Sequence, residues 1–132
     1  MLEEFEHIPI YRKANEILDL TRAITGSYDP EQDQMKSTVF LMEDALTIIS
    51  KIAAAAGSEI YVLKMENAVL VKIAARSLRT GLNGLSMQNL SAKEHLDLLR
   101  AEIDVFQELF VAWIQTFDPN TNLDDGWGMF VE

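Results

Sequence analysis

The chain contains two histidines, His7 and His95, and no cysteine, so nucleophile or metal chemistry would fall to two imidazoles and the carboxylates. Glu4 and His7 have the Glu-x-x-His spacing that di-iron helical bundles use, because residues three apart share one face of a helix. Such a site needs the motif twice, plus a glutamate from each of two further helices. The chain carries one copy, which reads as chance spacing. Neither histidine accompanies a nucleophile motif, and both read as solvated surface groups. The carboxylate pairs Glu43-Asp44, Glu102/Asp104 and Asp124-Asp125 read as solvated helix faces and tail rather than acid/base pairs. Gly81-Leu-Asn-Gly84 lacks the Lys-Ser/Thr of a phosphate loop and follows no strand. The sequence therefore predicts no catalytic residue, no metal and no cofactor: the chain reads as non-enzymatic.

Two features suit binding. Lys72, Arg76 and Arg79 recur at helical spacing and place three cations on one face, where they could meet an acidic partner, RNA, another subunit or the chain's own acidic helices. The C-terminal stretch beginning at Leu123 sets Asp124 and Asp125 beside Trp127, Met129 and Phe130, a combination suited to docking as a short peptide or to folding back on its own domain.

Both features depend on helices for their placement. At 132 residues, 48% apolar and 24% charged, the composition is that of one globular domain. The formal charge of −10 disfavours broad attraction to nucleic-acid phosphates or anionic lipid, which requires clustered Lys and Arg. No stretch approaches the roughly 20 apolar residues that cross a bilayer. With an acidic N-terminus and no cysteine, the expected location is the cytoplasm.

Three prolines, Pro9, Pro30 and Pro119, punctuate the helix-favouring stretches. The first helix is predicted over 9–25, with Ile10, Ala14, Ile17 and Ile24 on one face and Gly26 after it. Asp29-Pro30 opens the second, predicted over 30–56 with the stripe Met35, Val39, Met42, Leu46, Ile49, Ala53 and Ala56. Ser58 caps the third, predicted over 58–80 and apolar on several faces. Gly81 to Leu90 reads as a loop. Ser91-Ala-Lys-Glu94 is a capping box for the fourth, predicted over 91–117, whose seam is Leu96, Leu99, Ile103, Phe106, Phe110, Trp113 and Phe117. A second row, Leu98, Val105, Leu109 and Ala112, lies on a neighbouring face and suggests a subunit interface. Met35, Met42 and Met65 read as core filler.

Part of this pattern resembles a known family. Glu66-Asn-Ala-Val-Leu-Val-Lys-Ile-Ala-Ala-Arg-Ser-Leu78 is similar to the Glu-aromatic-x-Arg-Phe-Leu-x-Ile-Ala-x-Gly-Ser-Leu stretch of a family of small bacterial four-helix-bundle proteins. That family comprises the proteins encoded in 23S ribosomal RNA intervening sequences and the accessory proteins of diversity-generating retroelements. Ile10-Tyr-Arg-Lys-Ala-Asn-Glu-Ile-Leu resembles its first helix, and Ile52-Ala-Ala-Ala-Ala-Gly57 the end of its second. The chain departs from the pattern at Arg76, where the family has Gly, at Val69, where it has Arg, and in lacking the Glu before Gly57. The resemblance implies a homopentamer and, for the accessory members, a basic surface that engages nucleic acid and a reverse transcriptase. The loss of a family arginine and the acidic composition weigh against nucleic acid here.

The resulting expectation is an all-α, antiparallel up-down-up-down four-helix bundle over residues 1–118 with an acidic, aromatic tail over 119–132. It would be a homo-oligomeric scaffold for a protein partner; the alternative is an accessory protein binding RNA or DNA and a reverse transcriptase.

Overall fold

The structure is a computed structural model that describes residues 5–128. Those residues are all-helical, without strands, and form α1 (Pro9–Thr25), α2 (Ser37–Ala56), α3 (Tyr61–Met87) and α4 (Lys93–Ile114). Short 3-10 turns at Pro30–Gln32 and Pro119–Thr121 complete the order. Each helix packs on two others: α1 on α2 and α4, and α3 on α2 and α4.

α1 follows its sequence pattern. Ile10, Ala14, Ile17 and Ile24 are buried in the shared core, and Pro9 occupies the first turn, where its missing N–H costs nothing. The buried hydroxyls of Thr21 and Thr25 donate to the carbonyls of Ile17 (2.7 Å) and Thr21 (2.9 Å), so neither is left without a partner. α4 also follows its pattern, with Leu96, Leu99, Ile103, Phe106 and Trp113 buried and Phe117 buried just beyond the helix end. Trp113 and Phe117 meet edge-to-face at 4.9 Å.

The second helix starts later and faces the other way. Pro30–Gln32 is a separate 3-10 turn, and Asp29 caps that turn by accepting from the Glu31 amide at 3.0 Å. The side chain that caps α2 comes from Asp33, a buried residue four positions before the helix start. Its Oδ1 accepts from the Ser37 amide (3.0 Å) and its Oδ2 from the Thr38 amide (2.6 Å), which are orphan donors of the first turn. The buried face of α2 is Ser37, Leu41, Ala45, Ile48, Ile52 and Ala55. The expected stripe is turned outward: Met35, Val39 and Leu46 are exposed, and Met42, Ile49, Ala53 and Ala56 are half-buried. Apolar residues cover so much of the circumference of α2 that periodicity alone does not choose the inward side.

The third helix runs through the predicted loop to Met87. Gly81 and Gly84 mark a close approach of helices, not a turn. A Cβ on Gly81 would stand 2.9 Å from Leu41 Cδ2, and one on Gly84 would collide with Ser37 Oγ. Both glycines let α3 lie tight against α2. Asn89, at φ 55°, takes the chain out of the helix end. Neither the predicted Ser58 cap nor the Ser91–Glu94 capping box is formed: Ser58 Oγ accepts from the Ile60 amide ahead of α3, and Ser91 Oγ is buried without a hydrogen-bond partner among the described residues.

Polar side chains fasten both ends of the α2–α3 pair. At one end Gln88, from just past α3, donates to Asp33 Oδ1 at 2.9 Å. Burial raises the affinity of Asp33 for a proton, but the hydrogen bonds from Thr38, Gln88 and Ser37 outweigh it and lower the pKa from 3.8 to about 2. At the other end Lys64 Nζ donates to the Ala55 carbonyl at 2.7 Å, one of the last carbonyls of α2, and stands 5.4 Å over the Phe117 ring. Burial lowers the Lys64 pKa, with nearby Glu59 opposing the shift. Between α1 and α4, Lys13 Nζ donates to Glu102 at 2.6 Å.

Candidate partner-binding site

Lys72, Arg76 and Arg79 do converge, on the side of α3 that faces α4. They edge a cleft of about 330 Å³ between the two helices. Its apolar lining is Ala75 from α3 and Ile103, Phe106 and Phe110 from α4, with Gln107 and the exposed Val111 at the lip. Ile103 and Phe106 are core residues, so the floor of the cleft is the outer surface of the core itself. A small side chain at Ala75, opposite large ones on α4, leaves the gap.

Arg79 is joined to Asp104 of α4 in an ion pair across the cleft's edge. Lys72 and Arg76 are exposed and take no ion-pair partner among the described residues. One of the three cations is thus used within the chain, and two are presented outward above an apolar floor. Such a surface suits a ligand that is itself both anionic and apolar.

Of the second row on α4, Leu98 is 51% and Val105 40% exposed, Ala112 is exposed, and Leu109 is half-buried against the core. Sequence reasoning missed similar open residues elsewhere. Val39 and Leu46 on α2 are seven apart, as are Leu63 and Leu70 on α3, and all four are exposed. Phe40 and Ile73 are 59% and 51% exposed. Val39 and Leu46 belong to the stripe expected to face the core, and Leu63 and Leu70 to a helix apolar on several faces, so seven-residue spacing alone does not separate a core row from an open one.

In the tail, Trp127 is 82% exposed and sits beside Leu63 and Glu66 at the start of α3. Asp124 Oδ1 accepts from the Gly126 amide (2.8 Å) and Asp125 Oδ1 from the Trp127 amide (3.0 Å). Gly126 and Gly128, at φ 84° and 75°, flank the tryptophan in a conformation glycine adopts readily. Met129 and Phe130 lie outside the described residues, as does Glu4 of the Glu-x-x-His spacing. His7 and His95 are exposed. Among the described residues no group of three or more His, Asp or Glu side chains is placed to hold a metal ion, and no helix is long and apolar enough to cross a membrane.

Set against known proteins, the chain matches no family model and has no significant similarity to a curated protein.

Proposed function

We propose that the protein is a non-catalytic, homo-oligomeric helical scaffold of the cytoplasm, an up-down-up-down bundle whose assembly presents a surface to a protein partner. The observation that carries this reading is the set of apolar residues left open at seven-residue spacing on three helices: Val39 and Leu46, Leu63 and Leu70, Leu98 and Val105. Isolated exposed apolar residues are ordinary, but rows with heptad spacing are what helix-to-helix association uses. The up-down course is supported by residue pairs whose numbers run in opposite senses. Leu41 lies at Gly81 and Ala55 at Lys64 for α2 and α3, and Asn83 lies at Arg100 and Arg79 at Asp104 for α3 and α4.

Size-exclusion chromatography with light scattering tests the assembly. A stable multimer is expected, and five subunits would agree with the family resemblance. A monomer at every concentration would overturn the reading.

The clustering of Lys72, Arg76 and Arg79 favours one second reading, an accessory protein that holds RNA alongside a reverse transcriptase. Replacing all three by Glu would then abolish RNA retention. Under the scaffold reading, the unaltered chain retains no RNA at physiological salt, because the charge of −10 opposes a polyanion.

A further inference from the structure

Cleft and tail carry complementary chemistry. The cleft sets Lys72 and Arg76 over an apolar floor that includes Phe106 and Phe110. The tail turn holds Trp127 outward, 82% exposed, with the carboxylates of Asp124 and Asp125 immediately before it. An aromatic side chain fills an apolar cleft of this size, and Arg and Lys beside it can pair with the carboxylates and stack on the indole. The tail's own resting place matches it poorly: Trp127 and Asp125 share an open pocket with Leu63 and Glu66, which offers the tail's carboxylates no cation and leaves the indole in water.

Within one chain the two features are kept apart. Arg76 lies ten residues beyond Glu66, about 15 Å along α3 at 1.5 Å per residue. At 100° per residue, the Lys72–Arg76–Arg79 face is turned roughly 140° from that of Leu63 and Glu66. The folded chain therefore presents its acidic–aromatic turn on one side and the matching cleft on another, which is the arrangement of a head-to-tail contact between copies.

We infer that the α3–α4 cleft receives the Asp124–Trp127 segment of a second copy of this chain, with Trp127 on the apolar floor and the two carboxylates on Lys72 and Arg76. The contact is heterologous, so successive copies close into a ring or extend as a filament. It rests on the homo-oligomer reading and deepens it by naming one contact.

The absence of cysteine makes the test clean. One full-length sample carries Gln107→Cys at the cleft lip, and a second, tagged sample carries Leu123→Cys, an exposed position ahead of the turn. The two are mixed, treated with a short bismaleimide and separated by mass, with light scattering on the same mixture. A tagged–untagged cross-linked pair is expected, lost when Lys72→Glu and Arg76→Glu are introduced in the cleft chain or Trp127→Ala in the tail chain. A chain carrying both cysteines, diluted into excess cysteine-free protein, should give little intrachain product. No mixed product, a mixed product indifferent to those substitutions, or a predominantly intrachain product would overturn the inference. A multimer that persists without the cross-link would sink this contact while leaving the scaffold reading standing; a monomer would sink both.

Discussion

Replacing Asp33 with Asn should remove much of what fixes the start of α2. The carboxylate takes three donors: the amides of Ser37 and Thr38 and the side-chain amide of Gln88. Asn keeps the shape but offers one oxygen, so its NH₂ must face a donor already there. The pKa gives the magnitude. A fall from 3.8 to about 2 corresponds, at 1.36 kcal/mol per tenfold change in proton affinity, to about 2 kcal/mol favouring the charged form in the folded chain. Loss of a good helix cap costs a comparable amount, about 0.5–2 kcal/mol. Urea unfolding of both proteins at one fixed concentration should therefore show a gap of about 2 kcal/mol at pH 7, or roughly 8 °C in Tm. Because the folded pKa lies below the unfolded one, this stability is present above the unfolded value of 3.8 and is lost as pH falls through the folded value of about 2. The gap between the two proteins should hold from pH 7 to about pH 4 and close towards pH 2. A gap of the same size at pH 2 and pH 7, or none at pH 7, would refute the assignment of Asp33 as a charged clasp.

Gly84→Ala should destabilise by about 1–2 kcal/mol despite alanine's better helix propensity, because its Cβ meets Ser37 Oγ. With Ser37→Ala already in place the same change should cost much less, and a double-mutant cycle in urea reads the coupling directly. Lys64→Met keeps the aliphatic stem but removes the charged donor to the Ala55 carbonyl, which then keeps only the Ser58 amide at 3.2 Å, so unfolding should be easier by about 1 kcal/mol at neutral pH. Phe40→Ser with Leu46→Ser should leave the circular dichroism and monomer stability nearly unchanged while shifting light scattering to smaller species. An unaltered multimer would show that α2 takes no part in assembly.

α1 and α4 were legible from the chain because each carries an apolar row of regular three-and-four spacing, Ile10–Ile24 and Leu96–Trp113, and on α4 the large aromatics Phe106 and Trp113 fall on that row and not on the second one through Leu98 and Val105. α2 was legible as a helix but not in its orientation. The rows through Val39 and Leu46 and through Leu41 and Ile48 are about equally apolar, and the choice between them is made by what α1 and α3 bring against them. At the end of α3, glycines that punctuate an isolated chain instead serve close packing, since the Leu41 and Ser37 side chains that need the room are more than 39 positions away in sequence. The capping role of Asp33 was equally hidden, because its third hydrogen bond comes from Gln88, 55 residues on.

Four amphipathic helices with Lys72, Arg76 and Arg79 on one face follow from local rules, since helical period and proline position are properties of neighbouring residues. Packing is what puts Ile103, Phe106 and Phe110 under those cations, joins Arg79 to Asp104 while Lys72 and Arg76 stay exposed, and holds Trp127 on another side of the molecule. Those relations join residues far apart in the chain, and their distances are set by how closely large and small side chains let neighbouring helices approach.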